Sequence, residues 1–269
     1  MIFHRFAVPE QKIIRMTPIS VVIITFNEEK NIRRCIESVQ EIADEIVVVD
    51  SFSTDNTEAI CTELDVKFIK HKFEGHIEQK NWAAAQATND YVLSLDADEA
   101  LSEELKENIL NLKNQEVWEF EGYEMNRLTS FCGRWIKYSW YPDRKLRLWN
   151  KNKGKWGGEN PHDKFIMDDN LPVGLLKGDL LHYSFHTITE YNLQIEKFSS
   201  IASKAAHAKG KKTSQLGIYA HTISKFLKKY FIQRGFMDGW DGLFIAFASG
   251  YATFLKYSKL YMLQHGREK

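Results

Sequence analysis

Two carboxylates follow an apolar run in the middle of the sequence. The segment Tyr91–Leu95 leads directly into Asp96-Ala97-Asp98-Glu99. The run is typical of a strand that is buried on both faces of a parallel sheet. Because side chains alternate along a strand, we expect Asp96 and Asp98 to point the same way at its carboxyl edge. Two carboxylates there suit Mg²⁺ or Mn²⁺ with a diphosphate, although solvated acids between a strand and a helix would give the same pattern.

The elements that must position these acids alternate regularly along the first half of the chain. Strands are predicted over Ile19–Thr25, Glu45–Asp50, Val66–Ile69 and Tyr91–Asp96. Helices are predicted from an N-cap at Asn27 to Val39, and over Thr57–Leu64, Ile77–Ala87 and Ser102–Leu112. This alternation indicates βαβ units and an α/β fold with a mostly parallel central sheet. Such sheets bind ligands at the carboxyl ends of their strands.

The first glycine of the chain is Gly75, well beyond the first strand–helix turn. The sequence therefore has neither a G-x-G-x-x-G fingerprint nor a Walker A loop at that turn. The absence of both motifs excludes dinucleotide-dependent oxidoreductases of the usual kind and P-loop kinases. A nucleotide at this sheet edge would be held by side chains and a metal ion.

The second half of the chain is less regular. Alternating patterns predict strands over Tyr123–Leu128 and Lys145–Trp149. A loop with several Gly, Lys and Trp residues is expected over Lys151–Asp163, and Leu181-His182-Tyr183 follows another short strand. The three cysteines are too few and too scattered for a disulfide framework or a zinc site, so we expect a reducing, cytoplasmic setting.

Four motifs, taken together in order and spacing, resemble those of the inverting GT-A glycosyltransferases of family 2. The similarity is greatest to the small enzymes of lipopolysaccharide core biosynthesis, of the β-1,4-glucosyltransferase type. The motifs are Val22-Ile23-Ile24-Thr25-Phe26-Asn27-Glu28, Val49-Asp50-Ser51-Phe52-Ser53-Thr54-Asp55-Asn56-Thr57, Gln79-Lys80-Asn81-Trp82-Ala83 and Leu95-Asp96-Ala97-Asp98-Glu99. Beyond residue 115 the resemblance is looser and includes Arg144 to Leu148, His162-Asp163 and Leu181-His182-Tyr183.

The resemblance implies a donor site for a nucleotide sugar, most simply a UDP-sugar. Its nucleotide-binding residues would be Thr25, Asn27, Glu28, Asp50, Ser51, Asp55, Lys80 and Asp96. The carboxylates among these residues can accept hydrogen bonds from the N–H of a uracil and from ribose hydroxyls. Local alternatives exist: Glu28 can favour a helix N-terminus, Asp55 can cap the next helix, and Lys80 can be a solvated helix lysine.

The resemblance also implies that Asp96 and Asp98 bind Mg²⁺ or Mn²⁺ through the Asp-x-Asp pair, and His182 is a further candidate metal ligand. Arg144 and Arg147 are candidates for contacting the diphosphate or an anionic acceptor, although they also fit an exposed strand face. His162 and His182 are alternatively structural histidines.

An inverting transfer needs one general base to take the proton of the acceptor hydroxyl. The family places this base after the central sheet, often as the acid of a His-Glu pair. The corresponding pair here is His162-Asp163, so Asp163 is the predicted base and Glu159 the second candidate. The change from Glu to Asp shortens the reach by one methylene, and a loop acid after a proline turn is the structural alternative.

The last third of the chain is basic and aromatic. Residues 195–269 contain 13 Lys or Arg and 4 Asp or Glu, a net charge of +9; since the whole chain balances 36 against 36, residues 1–194 carry −9. Apolar residues occur at helical spacing beside lysines, namely Tyr219, Ile223, Phe226, Leu227, Tyr230 and Phe231. The uncharged stretch Leu243–Leu255 is shorter than the ~20 residues that span a bilayer.

These patterns predict attachment of the C-terminal region to an anionic membrane surface. The alternatives are helices that pack on the catalytic domain or form an oligomer interface. Residues 1–17 are interpreted as an extension without the pattern of a secretory signal. Residues 18–190 would form the catalytic domain, with a nucleotide half at 18–99 and an acceptor half at 100–190, and 191–269 the helical region.

The sequence thus predicts a metal-dependent glycosyltransferase located in the cytoplasm, peripheral on the inner face of the cytoplasmic membrane. Its partners would be a nucleotide-sugar donor and a glycolipid or polysaccharide acceptor, with no nucleic acid. Two other hypotheses are a nucleotidyltransferase, which usually has a glycine-rich first loop, and a nucleotide-sugar-binding protein without catalytic activity.

Overall fold

The computed structural model describes residues 16–159 and 162–267, apart from the side chains of Glu159 and His162. The elements of the sheet half are β1 (Ile19–Thr25), α1 (Ile32–Val39), β2 (Glu45–Asp50), α2 (Thr57–Glu63), β3 (Lys67–Lys70), α3 (His76–Ala85), β4 (Tyr91–Asp96), β5 (Glu99–Leu101), α4 (Glu103–Lys113), β6 (Gly122–Phe131), β7 (Arg134–Trp135), β8 (Arg144–Asn150), β9 (Gly154–Glu159), β10 (His162–Met167) and β11 (Gly174–Phe185). Three long helices follow, α5 (Ile188–Ala208), α6 (Gln215–Leu227) and α7 (Gly239–Gln264).

One large sheet has the strand order β3-β2-β1-β4-β8-β6-β11-β5, and β7 pairs with β6. The first four strands are parallel, as the βαβ pattern predicts. From β8 onward the pairing is mixed, because β8 is antiparallel to both β4 and β6 while β6 and β11 are parallel. This mixed sheet, flanked by helices and followed by a helical region, is the predicted GT-A arrangement.

Alternation along β1 divides the core between the two faces of the sheet. Ile19, Val21 and Ile23 face α1, α2 and α4, whereas Val22 faces α3 and the β9–β10 hairpin. All four of these side chains are fully buried. The continuous apolar runs of β1, β2 and β4 are therefore explained by burial on both faces, and they align the ends of β1, β2 and β4 at one edge.

The predicted loop over 151–163 is wrong, because most of it belongs to an antiparallel hairpin of β9 and β10. Its aromatic residues Trp156 and Phe165 pack against Trp149 of β8, and the rings of Trp149 and Phe165 stack at 4.0 Å. Gly154 is required here, because a Cβ on it would approach the carbonyl oxygen of Ile166 to 2.4 Å. The glycines that allow this close packing also conceal the strand pattern.

The predicted N-cap at Asn27 is also wrong. Helix α1 begins at Ile32, and Asn31 occupies the N-cap position. Asn27 instead adopts a left-handed backbone conformation with φ of 55°, and its side-chain oxygen accepts a hydrogen bond from the backbone N–H of Thr54 at 2.8 Å. Asparagine tolerates this conformation better than most residues, which suits it to a turn.

The C-terminal helices pack on the sheet half through a third apolar cluster. Tyr191 and Ile195 of α5 meet Ile245 of α7 there, together with Phe131 of β6 and Ile136. Helix α7 thus packs on the sheet half, which agrees with the alternative that the C-terminal helices pack on the catalytic domain. It also packs against α6. None of the described helices is both long enough and apolar enough to cross a membrane. The predicted extension falls almost wholly on residues 1–15, which lie outside the described part.

Candidate functional site

A cavity of about 1180 Å³ opens at the carboxyl ends of β1, β2 and β4. The loops after these strands form one wall, and the segment 137–143 and the region 229–234 contribute others. The predicted site residues that line it are Thr25, Glu28, Ser51, Lys80, Asp96, Asp98, Asp163 and His182. Residues that are far apart in the sequence therefore meet where the sheet topology predicts a ligand site.

Asp96, at the end of β4, is held between two cations. Its carboxylate lies 3.1 Å from Nζ of Lys80 on α3 and 3.0 Å from a guanidinium nitrogen of Arg147 on β8. Burial alone would raise the pKa of Asp96, but the charges of Lys80 and Arg147 outweigh burial and hold it well below its usual range. Asp96 is therefore ionised, and it fixes Lys80 at the cavity and Arg147 in the buried layer beneath it.

Glu99 stabilises the same cluster from below, a role that was not assigned to it from the sequence. It is buried, accepts a hydrogen bond from the backbone N–H of Asp96 at 3.0 Å, and lies 2.6 Å from Arg147. Charge-assisted hydrogen bonds of this kind are shorter and stronger than neutral ones. The sequence feature that could have indicated this role is the position of Glu99 directly after the Asp-x-Asp pair, a motif that we interpreted as a metal site.

Asp98 does not share a strand face with Asp96, although both residues line the cavity at the end of β4. The strand β4 ends at Asp96, and Asp98 lies in the turn before β5. The Asp98 carboxylate lies 3.2 Å from Nε2 of His182, and Nδ1 of His182 is 3.2 Å from the hydroxyl of Thr129. When Nδ1–H donates to Thr129, the lone pair of Nε2 faces Asp98, which is the tautomer that a metal ligand needs.

Asp98 and His182 offer two ligands of the kind that Mg²⁺ or Mn²⁺ accepts when substrate phosphates and water complete the coordination. Within residues 16–159 and 162–267, no group of three or more His, Cys, Asp or Glu side chains is arranged to hold a metal ion. The donor set thus fits an ion that is shared with a diphosphate rather than enclosed by protein. Asp96, engaged by Lys80 and Arg147, is less available for this purpose.

Hydrogen bonds join the loops after β1 and β2 to each other. The backbone N–H of Asn27 donates to Ser53, and that of Glu29 donates to the carboxylate of Asp55 at 3.0 Å. Asp55 also accepts from the hydroxyl and the N–H of Thr57. Burial would raise the pKa of Asp55, but these hydrogen bonds lower it below its usual value. Asn27 and Asp55 therefore stabilise the loops, which agrees with the alternative that Asp55 has a local structural role.

Asp50 and Thr25 lie at the ends of neighbouring strands but differ in their hydrogen bonding. Asp50 is buried and accepts hydrogen bonds from the N–H and the hydroxyl of Ser53 within its own loop. The buried hydroxyl of Thr25 lines the cavity and has no hydrogen-bond partner among the described residues. An orphaned buried hydroxyl at a cavity wall favours a polar ligand there. For Asp50, contact with a nucleoside stays a prediction.

Asp163, the predicted base, extends from β10 into the cavity. Its carboxylate lies 2.9 Å from Nζ of Lys80, which also lies over the ring of Trp156 at 4.6 Å. The hairpin is fixed to α3 by Asn81, whose amide exchanges two hydrogen bonds of 2.9 Å with the backbone of Trp156. This explains Asn81 in the motif next to Lys80. The side chains of Glu159 and His162 lie outside the described part.

The two candidate arginines of β8 are separated by the alternation of the strand. Arg147 is buried in the cluster around Asp96, whereas Arg144, three residues earlier, is exposed and does not line the cavity. Residues three apart on a strand face opposite sides, so only one of them reaches this site. Arg127, which the sequence reasoning missed, lines the cavity instead and forms a 2.8 Å ion pair with Asp143.

Fold and site together define an α/β protein of the GT-A type, with a cluster of acidic and basic side chains at the carboxyl edge of its parallel strands. The profile described as "Glycosyl transferase family 2" matches residues 20–164, more than half of the chain. The chain belongs to this family. The predictions of a family 2 member and of a glycosyltransferase enzyme are thereby confirmed.

Similar proteins include an uncharacterized glycosyltransferase of Rickettsia typhi, 34% identical over 91% of this chain and 87% of its own length. The lipopolysaccharide core biosynthesis glycosyltransferase LpsC of Rhizobium meliloti is 29% identical over 91% of this chain and 92% of its own length. Among solved structures, S. aureus TarS 1-349 in complex with UDP-GlcNAc matches with 16% identity and a TM-score of 0.47, covering 93% of each chain.

Glu28 is a predicted nucleotide-binding residue whose pKa is raised. Burial raises its pKa to about 7, which the hydrogen bond from Asn31 only partly offsets and the carboxylate of Asp98 reinforces. The folded state thus binds this proton more tightly than the unfolded chain. The contribution of Glu28 protonation to the free energy of unfolding is therefore fully present below the usual pKa of 4.5. It is lost as the pH rises through about 7.

We therefore predict that the free energy of unfolding of the wild type falls between pH 4.5 and 7.5 relative to that of Glu28→Gln, which cannot ionise. Urea unfolding of both proteins across this range measures the difference. Glu29→Gln, an exposed neighbour, is the control. A constant difference between wild type and Glu28→Gln across the range would show that Glu28 titrates normally.

Proposed function

We propose that this protein is an inverting, metal-dependent glycosyltransferase that moves a sugar, most simply glucose from UDP-glucose, onto a lipopolysaccharide core or another glycolipid or polysaccharide. One observation carries the proposal: Lys80 contacts both Asp96, 3.1 Å away, and Asp163, 2.9 Å away. The predicted donor residue and the predicted base therefore lie on either side of one cation. The family match favours this reaction over nucleotidyl transfer.

The donor would bind along the carboxyl edge of the parallel strands. The free hydroxyl of Thr25, together with Glu28 and Ser51, lines the part of the cavity where a nucleoside fits. Lys80, which lines the cavity, would face the diphosphate beside Asp96, and the buried Arg147 holds Asp96 from behind. Positively charged groups that are already fixed need no reorganisation when charge develops on the leaving nucleotide.

Asp98 and His182 would hold the divalent ion against the diphosphate. When bound, the ion stabilises the negative charge that develops on the leaving group. Thr129 orients the His182 ring for this purpose through its hydroxyl, 3.2 Å from Nδ1.

Asp163 would act as the general base. It accepts the proton of the acceptor hydroxyl while that oxygen forms a bond to the anomeric carbon and the bond from this carbon to the diphosphate oxygen breaks. Attack opposite the leaving group inverts the configuration. Lys80 holds the Asp163 carboxylate in position through its 2.9 Å contact and moves no proton itself. The lipopolysaccharide acceptor is supported by the likeness to LpsC over nearly the whole chain.

Asp163→Asn keeps the hydrogen-bonding shape but removes the base. We predict a loss of about 10²–10⁴-fold in kcat for sugar transfer from UDP-glucose to bacterial envelope glycolipids, with UDP affinity nearly unchanged. Radiolabel transfer and calorimetry measure the two quantities, and Glu159→Gln is the matched variant. If Glu159→Gln loses transfer and Asp163→Asn does not, the base is misassigned. UDP binding without transfer by the wild type would indicate a binding protein.

Attachment to the membrane is the second part of the proposal. Leu216, Tyr219, Ile223 and Leu227 form one exposed apolar face along α6, and Ile232 continues it. Exposed lysines flank this face, including Lys211, Lys212, Lys225 and Lys228. Of the aromatic residues predicted for this face, Phe226 and Tyr230 are half-buried instead, and Phe226 packs on Phe247 of α7. Apolar residues with flanking lysines suit the surface of an anionic bilayer.

We predict that the protein sediments with vesicles containing anionic phosphatidylglycerol and that 0.5 M salt weakens this binding. The double variant Ile223→Asp/Leu227→Asp should bind at least about tenfold more weakly, because it removes apolar contact and adds repulsive charge. Val117→Asp changes an exposed apolar residue away from α6 and is the control. Equal sedimentation of both variants would contradict a role for this face.

A further inference from the structure

The cavity has walls of opposite charge. Asp96, Asp98 and Asp163 lie at the edge of the sheet, where the donor and metal are placed above. Lys137, on the segment after β7, lies on another wall with Lys229 and Arg234, which belong to the C-terminal region. The donor site does not account for this basic wall.

The three basic residues lack carboxylate partners. Among the described residues, no carboxylate lies within ion-pair distance of Lys137, Lys229 or Arg234, whereas Arg127 and Arg147 are paired. The nearby carboxylate of Asp238 accepts hydrogen bonds from three backbone N–H groups, those of residues 137, 138 and 139. Positive charge on this wall is therefore available to a ligand.

Lys229 is held in place at this wall. Its Nζ donates to the carbonyl oxygen of Ser139 at 2.7 Å, which leaves two further N–H groups for a ligand. Burial lowers its pKa to about 8, and the charges of Lys225 and Lys228 add to the effect, although Asp143 opposes it. A partly buried lysine without a counter-charge is costly, and a bound anion would relieve that cost.

The corner that presents Arg234 is fixed by close backbone packing. Arg234 has a φ of 55°, which is uncommon for a residue other than glycine. The next residue, Gly235, packs so closely on Gly242 of α7 that a Cβ on Gly242 would approach its carbonyl oxygen to 1.8 Å. Lys229 lies in a π-helical turn over Lys228–Ile232, and such turns occur frequently at functional sites.

A polar group without a partner lies at the same place. The hydroxyl of Ser139 is buried, lines the cavity and has no hydrogen-bond partner among the described residues. Buried hydroxyls are nearly always hydrogen-bonded in folded proteins. This observation is independent of the charges and also favours a polar ligand at this wall.

We propose that Lys137, Lys229 and Arg234 form an anion-binding subsite for the acceptor, which takes a phosphate or carboxylate group carried on the acceptor sugar. The inference rests on the proposed function, because it places the anion on the molecule that receives the sugar. The C-terminal region would thus select the acceptor as well as cover the sheet half.

The first test uses sulfate, a divalent oxyanion, as the probe. Sulfate is titrated into protein saturated with UDP at constant ionic strength and followed by tryptophan fluorescence, since Trp140 lines the same cavity. We expect Arg234→Gln and Lys229→Met to weaken sulfate binding by about tenfold or more, as loss of a charge-assisted hydrogen bond does. Lys204→Met, an exposed lysine that does not line the cavity, is the matched control and should bind as the wild type does.

Each outcome bears on the proposal. Equal sulfate affinity in all four proteins would overturn it, as would loss of sulfate binding when UDP saturates the donor site. Lys137→Gln, at an exposed position, gives the same information if Lys229→Met fails to fold. If the wild type binds no UDP but still binds sulfate through Lys229 and Arg234, the proposed donor is wrong and the anion subsite stands.

The second test identifies the source of the anion. Transfer to envelope glycolipids is compared before and after enzymatic removal of phosphate, and separately after amidation of carboxylates, while hydrolysis of the donor by water is measured without acceptor. One of the two treatments should raise the acceptor KM of the wild type about tenfold or more and leave donor hydrolysis unchanged. Lys229→Met should show a raised KM with untreated acceptor. An unchanged KM after both treatments would contradict an acceptor anion.

Discussion

The structure depends most on the requirement that the charged groups around Asp96 be paired. Lys80 and Arg147 are nearly inaccessible to solvent, and a buried cation without a partner is strongly destabilising. Lys80 comes from α3 and Arg147 from β8, so one carboxylate fixes a helix and a strand against the end of β4. Glu99 also contacts the guanidinium of Arg147 and accepts a hydrogen bond from the backbone N–H of Asp96.

Several features of the site follow from this arrangement. Because Lys80 already contacts Asp96, its contact with Asp163 brings β10 to the donor edge of the sheet. Asn81 keeps the hairpin on α3 at the same point. Engagement of Asp96 by two cations leaves Asp98 and His182 as the better placed pair for a divalent ion. The proposed donor, metal and base positions are thus coupled through a few side chains on different elements.

The first half of the fold was predictable because its strands are buried on both faces and so appear as uninterrupted apolar runs between polar turns. The hairpin was not, since its glycines and lysines resemble a loop and its stability comes from stacking of Phe165 on the distant Trp149. Periodicity placed Phe226 on the outer face of α6, but only tertiary packing shows that it contacts Phe247.

The same limit applies to the site. Motifs named several of the residues that line the cavity, yet spacing alone does not reveal which carboxylates already have hydrogen-bond or ion-pair partners. Asp50 is satisfied within its loop and Asp55 holds two loops together, whereas Thr25 is left free. The basic wall is formed by residues 137, 229 and 234, which no local pattern connects. Its recognition required the tertiary structure.

We propose that a nucleoside diphosphate binds at the carboxyl edge of the parallel strands, with a divalent ion shared between Asp98 and His182. Calorimetric titration of UDP with and without Mn²⁺ tests it most directly, in the wild type, Asp98→Asn, His182→Gln and the control Arg144→Gln. We predict that Mn²⁺ raises the affinity for UDP at least about tenfold in the wild type and the control. Both site variants should lose this increase in affinity. An equal gain in all four proteins, or no UDP binding by the wild type, would contradict it.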